Sequence, residues 1–319
     1  MKPLPTVFPA VLSTAGAEGG HLLPLGQILT APADEAGETL PFSLQIAQIK
    51  SSLRNGAAPV LADCGMTVAQ QRAALLACKD LPAQPPFIAC LALNADGETF
   101  DNWQAGAALI LLQSMGCAGV LLTSQDEEAA AEMPALIAAL YEDARIPLGA
   151  VLSLEDARQK TWPLPHLSFL MAADSHETEA LAQYAAEKGF FDHLPAVCPP
   201  KEPDYFIAVS NGNAFLLDPT FDIDIELECS ADFIDELMEA ENAESIASLR
   251  LVIDDEDALA RFAEEQYMIH LPLCLRTSDE ALFEQALVSF CGRAMYDGTF
   301  ELEESLLRRL VERYGLIVL

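Results

Sequence analysis

The sequence predicts a parallel α/β fold, a TIM-barrel-like (β/α) region incomplete at its N-terminus, followed by a smaller C-terminal α/β domain. Three observations carry that expectation. Short runs that are apolar throughout, rather than at every second position, recur along the chain. A parallel sheet covered on both faces hides every side chain of its strands, which produces such runs. Longer Ala-rich segments with helical periodicity separate them, and strand–helix alternation is what a parallel α/β fold requires. The third observation is a change of composition at PAVCPPKEPDY, whose four prolines mark a boundary. The reading is therefore a barrel region over residues 1–203 and a small α/β domain over 204–319.

Taken in order, the strands of the first region are TVFPAVLS, APVLADC, PFIACLAL, AGVLLTS, IPLGAVLS and HLSFLMAA. The helices between and after them are FSLQIAQIKSSLRNG, TVAQQRAALLACKD, AGAALILLQSMG, EMPALIAALYEDA and HETEALAQYAAEKGF, several ending at Gly or before Pro. Beyond the boundary, FIAVSNGNAFLLD reads as a hairpin, because Asn-Gly supplies the positive φ angles of a tight turn. The strands IELECS, SLRLVID, LPLCLRT, RAMYDGT and YGLIVL then alternate with the helices SADFIDELMEAEN, DEDALARFAEEQY, DEALFEQALVSF and ELEESLLRRLVER. Ser230 and Ser278 stand just before acidic helix starts, as helix caps do.

At 319 residues and 51% hydrophobic the chain can bury a sizeable core. Its formal net charge of −32 repels phosphate backbones and anionic bilayers, so neither nucleic acid nor a membrane surface is expected as a partner. No apolar run reaches the roughly 18 residues that a membrane helix needs. The opening MKPLPTVFPAVLS is a poor signal peptide, with one lysine and prolines at 3, 5 and 9. Eight cysteines without CxxC pairs, several inside strand-like runs, fit buried thiols in a reducing cytoplasm.

Candidate site residues are few. AGAEGGHLLPLGQ follows the first strand and matches no phosphate-binding motif, so Gly19 and Gly20 are read as a substrate-contacting loop at a strand's carboxyl end. Asp63 closes the strand APVLADC and has two readings, a carboxylate facing the active end of a barrel or a cap for the helix beginning at Thr67. The five histidines show no paired metal-binding spacing.

VLADCGMTVAQQRAALLACKD resembles a strand and helix of the homocysteine S-methyltransferase domain found in cobalamin-dependent methionine synthases. VFPAVLSTAGAEGGHLLPLG, PFIACLALNADGETF and MGCAGVLLTSQDEEAAAEM resemble further segments of that family, so the likeness spans about residues 6–205. It implies a (β/α)8 barrel in which three cysteine thiolates hold zinc and a carboxylate holds the amino group of homocysteine. Asp63 stands at the carboxylate position, Ser124 (or Thr123, one residue earlier) at the first cysteine, Val197 at the second and Cys198 at the third. A serine hydroxyl is a poor zinc ligand and valine is none, so the zinc-thiolate site is expected to be degenerate. The expected function is a non-catalytic relative that binds an amino-acid-like small molecule or a protein. The alternative is an active methyltransferase acting on homocysteine or a similar thiol.

The likeness begins at the family's third strand. TVFPAVLS and HLSFLMAA are therefore expected at two open sheet edges, to be covered by the C-terminal region, a second copy or a protein partner. LPLCLRTSDEALFEQALVSFCGRAMYDGT faintly resembles the pterin-binding domain that follows in methionine synthases, but Arg276 and Tyr296 replace an aspartate and an asparagine there. Pterin binding is not carried over.

Overall fold

The structure is a computed structural model that describes residues 10–14, 21–31, 42–53, 56–93, 102–124, 127–159, 166–192, 206–218, 220, 222–242 and 246–319. The chain divides into two compact units, Met1–Ala105 with Cys117–Pro200, and Gly106–Gly116 with Lys201–Leu319. Among the described residues no helix is long and apolar enough to cross a membrane.

The first unit carries β1 (Ala10–Ser13), β2 (Leu22–Pro24), β3 (Gln27–Leu29), α1 (Phe42–Ser52), β4 (Val60–Ala62), α2 (Val68–Lys79) and β5 (Phe87–Leu93). Then come α3 (Asn102–Ser114), most of which groups with the second unit, β6 (Gly119–Ser124), α4 (Glu127–Asp143), β7 (Leu148–Leu152), α5 (Leu154–Gln159), β8 (Phe169–Ala172) and α6 (Thr178–Glu187). All eight strands are parallel, in the order β2-β1-β8-β7-β6-β5-β4-β3. This is the barrel-like α/β fold that the alternation predicts.

The expected open edges are not where the sequence puts them. TVFPAVLS and HLSFLMAA supply β1 and β8, and these pair with each other, Ala10 opposite Phe169 and Leu12 opposite Met171. The outermost strands are instead β2 and β3, which are separated only by Leu25 and Gly26. The Leu25 N–H donates to the Ser13 carbonyl (3.0 Å) and the Gly26 N–H to the Pro59 carbonyl (2.8 Å). One segment thus pairs with β1 through its first half and with β4 through its second, and it ties the ends of the curled sheet together. Leu29 is buried and Leu22, Leu23 and Leu25 are half-buried by this double pairing, while Ile28 stays exposed. Pro24, which has no N–H to give, and Gly26 sit where the segment changes partners.

Alternation along the strands sorts the side chains into two faces. The register sets Ala10 beside Phe169, Phe169 beside Gly149, Gly149 beside Leu121 and Leu121 beside Cys90. On this face the Phe169 ring lies over two glycines, since a Cβ on Gly149 would meet it at 2.3 Å and one on Gly119 at 3.1 Å. Towards the strand ends the same face opens, leaving Met171, Val151, Thr123 and Asp63 half-buried. The opposite face is closed throughout by helices, with Val120, Leu122, Ala150 and Leu152 at 0–1% exposure. The first is therefore the barrel's inner face, filled at its base and open at its carboxyl mouth.

In the second unit β9 (Phe206–Ser210) and β10 (Asn213–Leu217) form the expected hairpin, with Asn211 at φ 43° and Gly212 at φ 76°. There follow β11 (Ile225–Glu228), α7 (Phe233–Glu241), β12 (Leu249–Val252), α8 (Glu256–Glu265), β13 (Leu273–Arg276), α9 (Glu280–Ser289), β14 (Met295–Tyr296), α10 (Glu304–Tyr314) and β15 (Ile317–Val318). β11 to β15 make a parallel sheet in sequence order. Right-handed crossovers, the rule for parallel strands in sequence order, place the connecting helices α7 to α10 on one side. Phe233, Leu237, Phe262 and Phe283 are buried there, while Ala208 and Leu217 of the hairpin pack with Cys274, Met295 and Ile317. The expected caps need correction. At α9 it is Asp279, not Ser278, that accepts from the Ala281 and Leu282 N–H groups, and the Ser230 hydroxyl accepts from the Asp232 N–H, ahead of α7.

Candidate functional site at the barrel mouth

A cleft of about 500 Å³ opens at the carboxyl ends of β1 and β8. Leu12 and Met171, neighbours in the register, form its apolar floor, and Thr14, Asp174, Ser175 and Thr178 supply polar groups. The short loop from β8 into α6 positions them. Asp174 accepts from the His176 N–H (2.9 Å), which stiffens the corner, and Thr178 donates to the Ser175 carbonyl (2.8 Å). Glu177 accepts from the Leu154 N–H (2.9 Å) and fastens this loop to the start of α5. Asp174 is the charged residue among those lining the cleft.

Asp63 lies at the same end of the sheet, on the inner face, but is not part of the cleft lining. Its N–H donates to the Leu29 carbonyl (2.7 Å) and its Oδ1 accepts from the Gly65 N–H (2.9 Å). It does not cap α2. Thr67 does, in a capping box with Gln70 (2.9 and 3.3 Å). The cap reading of Asp63 thus fails for a local reason, since the better capping hydroxyl sits four residues on. Oδ2 of Asp63 has no hydrogen-bond partner among the described residues.

The remaining candidates divide. Gly19, Gly20, Val197 and Cys198 lie outside the described residues. Ser124 ends β6, but alternation turns it to the helix-covered face, whereas Thr123 stands on the face that carries Asp63. Cys90 is on the inner face beside Asp63, and there burial, then Cys64 and Asp63, pushes its thiol up to about 12. No group of three His, Cys, Asp or Glu residues suited to a metal occurs among the described residues. Of the three positions at which the likeness implies zinc ligands, Ser124 is the one among the described residues, and it offers no donor to the inner face.

Sequence reading missed Thr14, Asp174 and Thr178. The signal was present in HLSFLMAADSHETEA, where small polar residues follow a fully buried strand directly. Comparison with models of known protein families yields no match, and neither does comparison with curated proteins. The homocysteine S-methyltransferase likeness rests on the segments quoted above.

Proposed function

We propose that the first unit binds a small, amine-bearing, amino-acid-like molecule at the mouth of its barrel, as a non-catalytic relative of the homocysteine S-methyltransferases. The observation that carries this reading is the cleft at the ends of β1 and β8, with one carboxylate, three hydroxyls and an apolar floor. Parallel α/β barrels take their ligands at this end. A carboxylate among hydroxyls recognises an ammonium, and Leu12 with Met171 suits a short aliphatic or thioether chain. Asp63 on the same face is a second carboxylate within the mouth. The buried thiols Cys78, Cys90, Cys117 and Cys274 support residence in a reducing compartment such as the cytoplasm.

Calorimetric titration of the whole chain with homocysteine tests this. Binding is expected, weakened about tenfold or more by Asp174→Asn, since a charge-assisted hydrogen bond is worth about 1.5–3 kcal/mol. No heat, or an affinity untouched by the substitution, would rule the site out. Conversion of homocysteine to methionine by zinc-supplemented protein with a methyl donor would replace this reading with the catalytic one.

A further inference from the structure

The face of the second sheet that carries Cys274 and Met295 also carries a chain of alternating charges that the barrel mouth does not use. Glu226, Arg250 and Cys274 are register neighbours, as are Glu228, Val252 and Arg276 one step nearer the carboxyl ends. The chain starts at Asp297, just past β14 and almost fully buried. Its Oδ1 accepts from the N–H (3.1 Å) and hydroxyl (2.8 Å) of Thr299, and its Oδ2 takes Nε (2.8 Å) and Nη2 of Arg250. Burial works to raise the Asp297 carboxyl, but the bonds from Thr299 and Arg250 prevail and hold it below its ordinary range. Arg250 then donates through Nη1 to Glu226 (3.1 Å). Glu226 in turn receives Nη1 of Arg276 on both oxygens (3.1 and 3.1 Å), across Val252.

The first and last links differ in kind. The Asp297 and Arg250 side chains are 9% and 22% exposed, whereas those of Glu226 and Arg276 are 42% and 41% exposed. An exposed ion pair contributes about 0–1 kcal/mol, so the outer link is a poor explanation for placing charges at the inner one. What the chain achieves is to fix the last guanidinium. Among the described residues Nε and Nη2 of Arg276 have no partner, and Arg276 is the last residue of β13, at the carboxyl edge of the sheet.

We propose that Arg276 and Glu226 form a second ligand site, for the zwitterionic head of an α-amino acid. The free guanidinium edge takes the carboxylate in a bidentate pair, and Glu226, with Glu228 on the same face, takes the ammonium. A net-neutral head is also the one that the strongly negative field of the molecule does not repel.

Proton–nitrogen NMR of the arginine Nε–H groups in the whole chain tests the site, with glycine as probe. The expected result is a saturable shift of the Arg276 signal, absent from Arg276→Gln, retained in Asp174→Asn, and several-fold smaller with acetate at equal concentration. An equal shift with sodium chloride or acetate, or none with glycine, would overturn the proposal. So would loss of the shift in Asp174→Asn, because the two sites belong to different units. Unchanged backbone spectra of Arg276→Gln show that the fold is intact.

Discussion

A thiol surrounded by hydrocarbon keeps its proton, and this protein holds several. Burial pushes Cys78, Cys90 and Cys274 up to about 12 and Cys117 to about 11, from an ordinary 9.0. The sign follows from proton counting. Above pH 9 the unfolded chain releases protons that the folded chain retains, so this stability is complete below pH 9 and drains away above it. Urea unfolding should show stability falling between pH 9 and 10, by up to ~1.4 kcal/mol per pH unit for each such thiol. Cys90→Ala should make the slope shallower, and a slope unchanged in that variant would show that Cys90 ionises freely. Cys90 and Cys274 were legible as buried because PFIACLAL and LPLCLRT are apolar on both sides of the sulfur. Cys64 was not, since it ends a similar run yet is exposed, one residue past the point where the chain leaves the sheet.

At the scale of elements, the uniformly apolar runs were found because a doubly covered strand has no polar phase to lose. HLLPLGQIL escaped because its two halves pair on opposite sides, each for three residues, and the Pro and Gly between them imitate a loop. Ser124 and Thr123 show a related limit, since quoted likeness tolerates a one-residue slip and alternation does not. A side chain also completes the sheet where β4 stops short. Gln71, buried in α2, donates to the Cys90 carbonyl (2.6 Å) and the Met66 carbonyl (3.0 Å) and accepts from the Cys90 N–H (2.9 Å). It does for β5 what a longer β4 would have done. Gln71→Met keeps the volume and strands those groups, so it should cost about 2–4 kcal/mol in urea unfolding, against under 1 kcal/mol for an exposed glutamine such as Gln84.

At the scale of the molecule, the alternation of short apolar runs and helices was enough to predict the fold class. It did not show that most of α3, within the first stretch of sequence, groups with the second unit. Sequence order assigns a helix to its neighbours, whereas packing assigns it to whatever buries it, and Ala107 to Leu112 is apolar on every side. The candidate site was less legible than the fold. Asp63 lies on the inner face at the carboxyl end of β4, but the cleft is built from the β1 and β8 loops, which meet only because those strands pair. Two strands expected at opposite edges gave no reason to combine Thr14 with Asp174. Hydrogen exchange of the whole chain with and without homocysteine tests the central claim most directly, because it locates the ligand as well as detecting it. The account predicts added protection around residues 12–14 and 171–178 that Asp174→Asn removes. Protection confined to residues 222–319, or none anywhere, would contradict it.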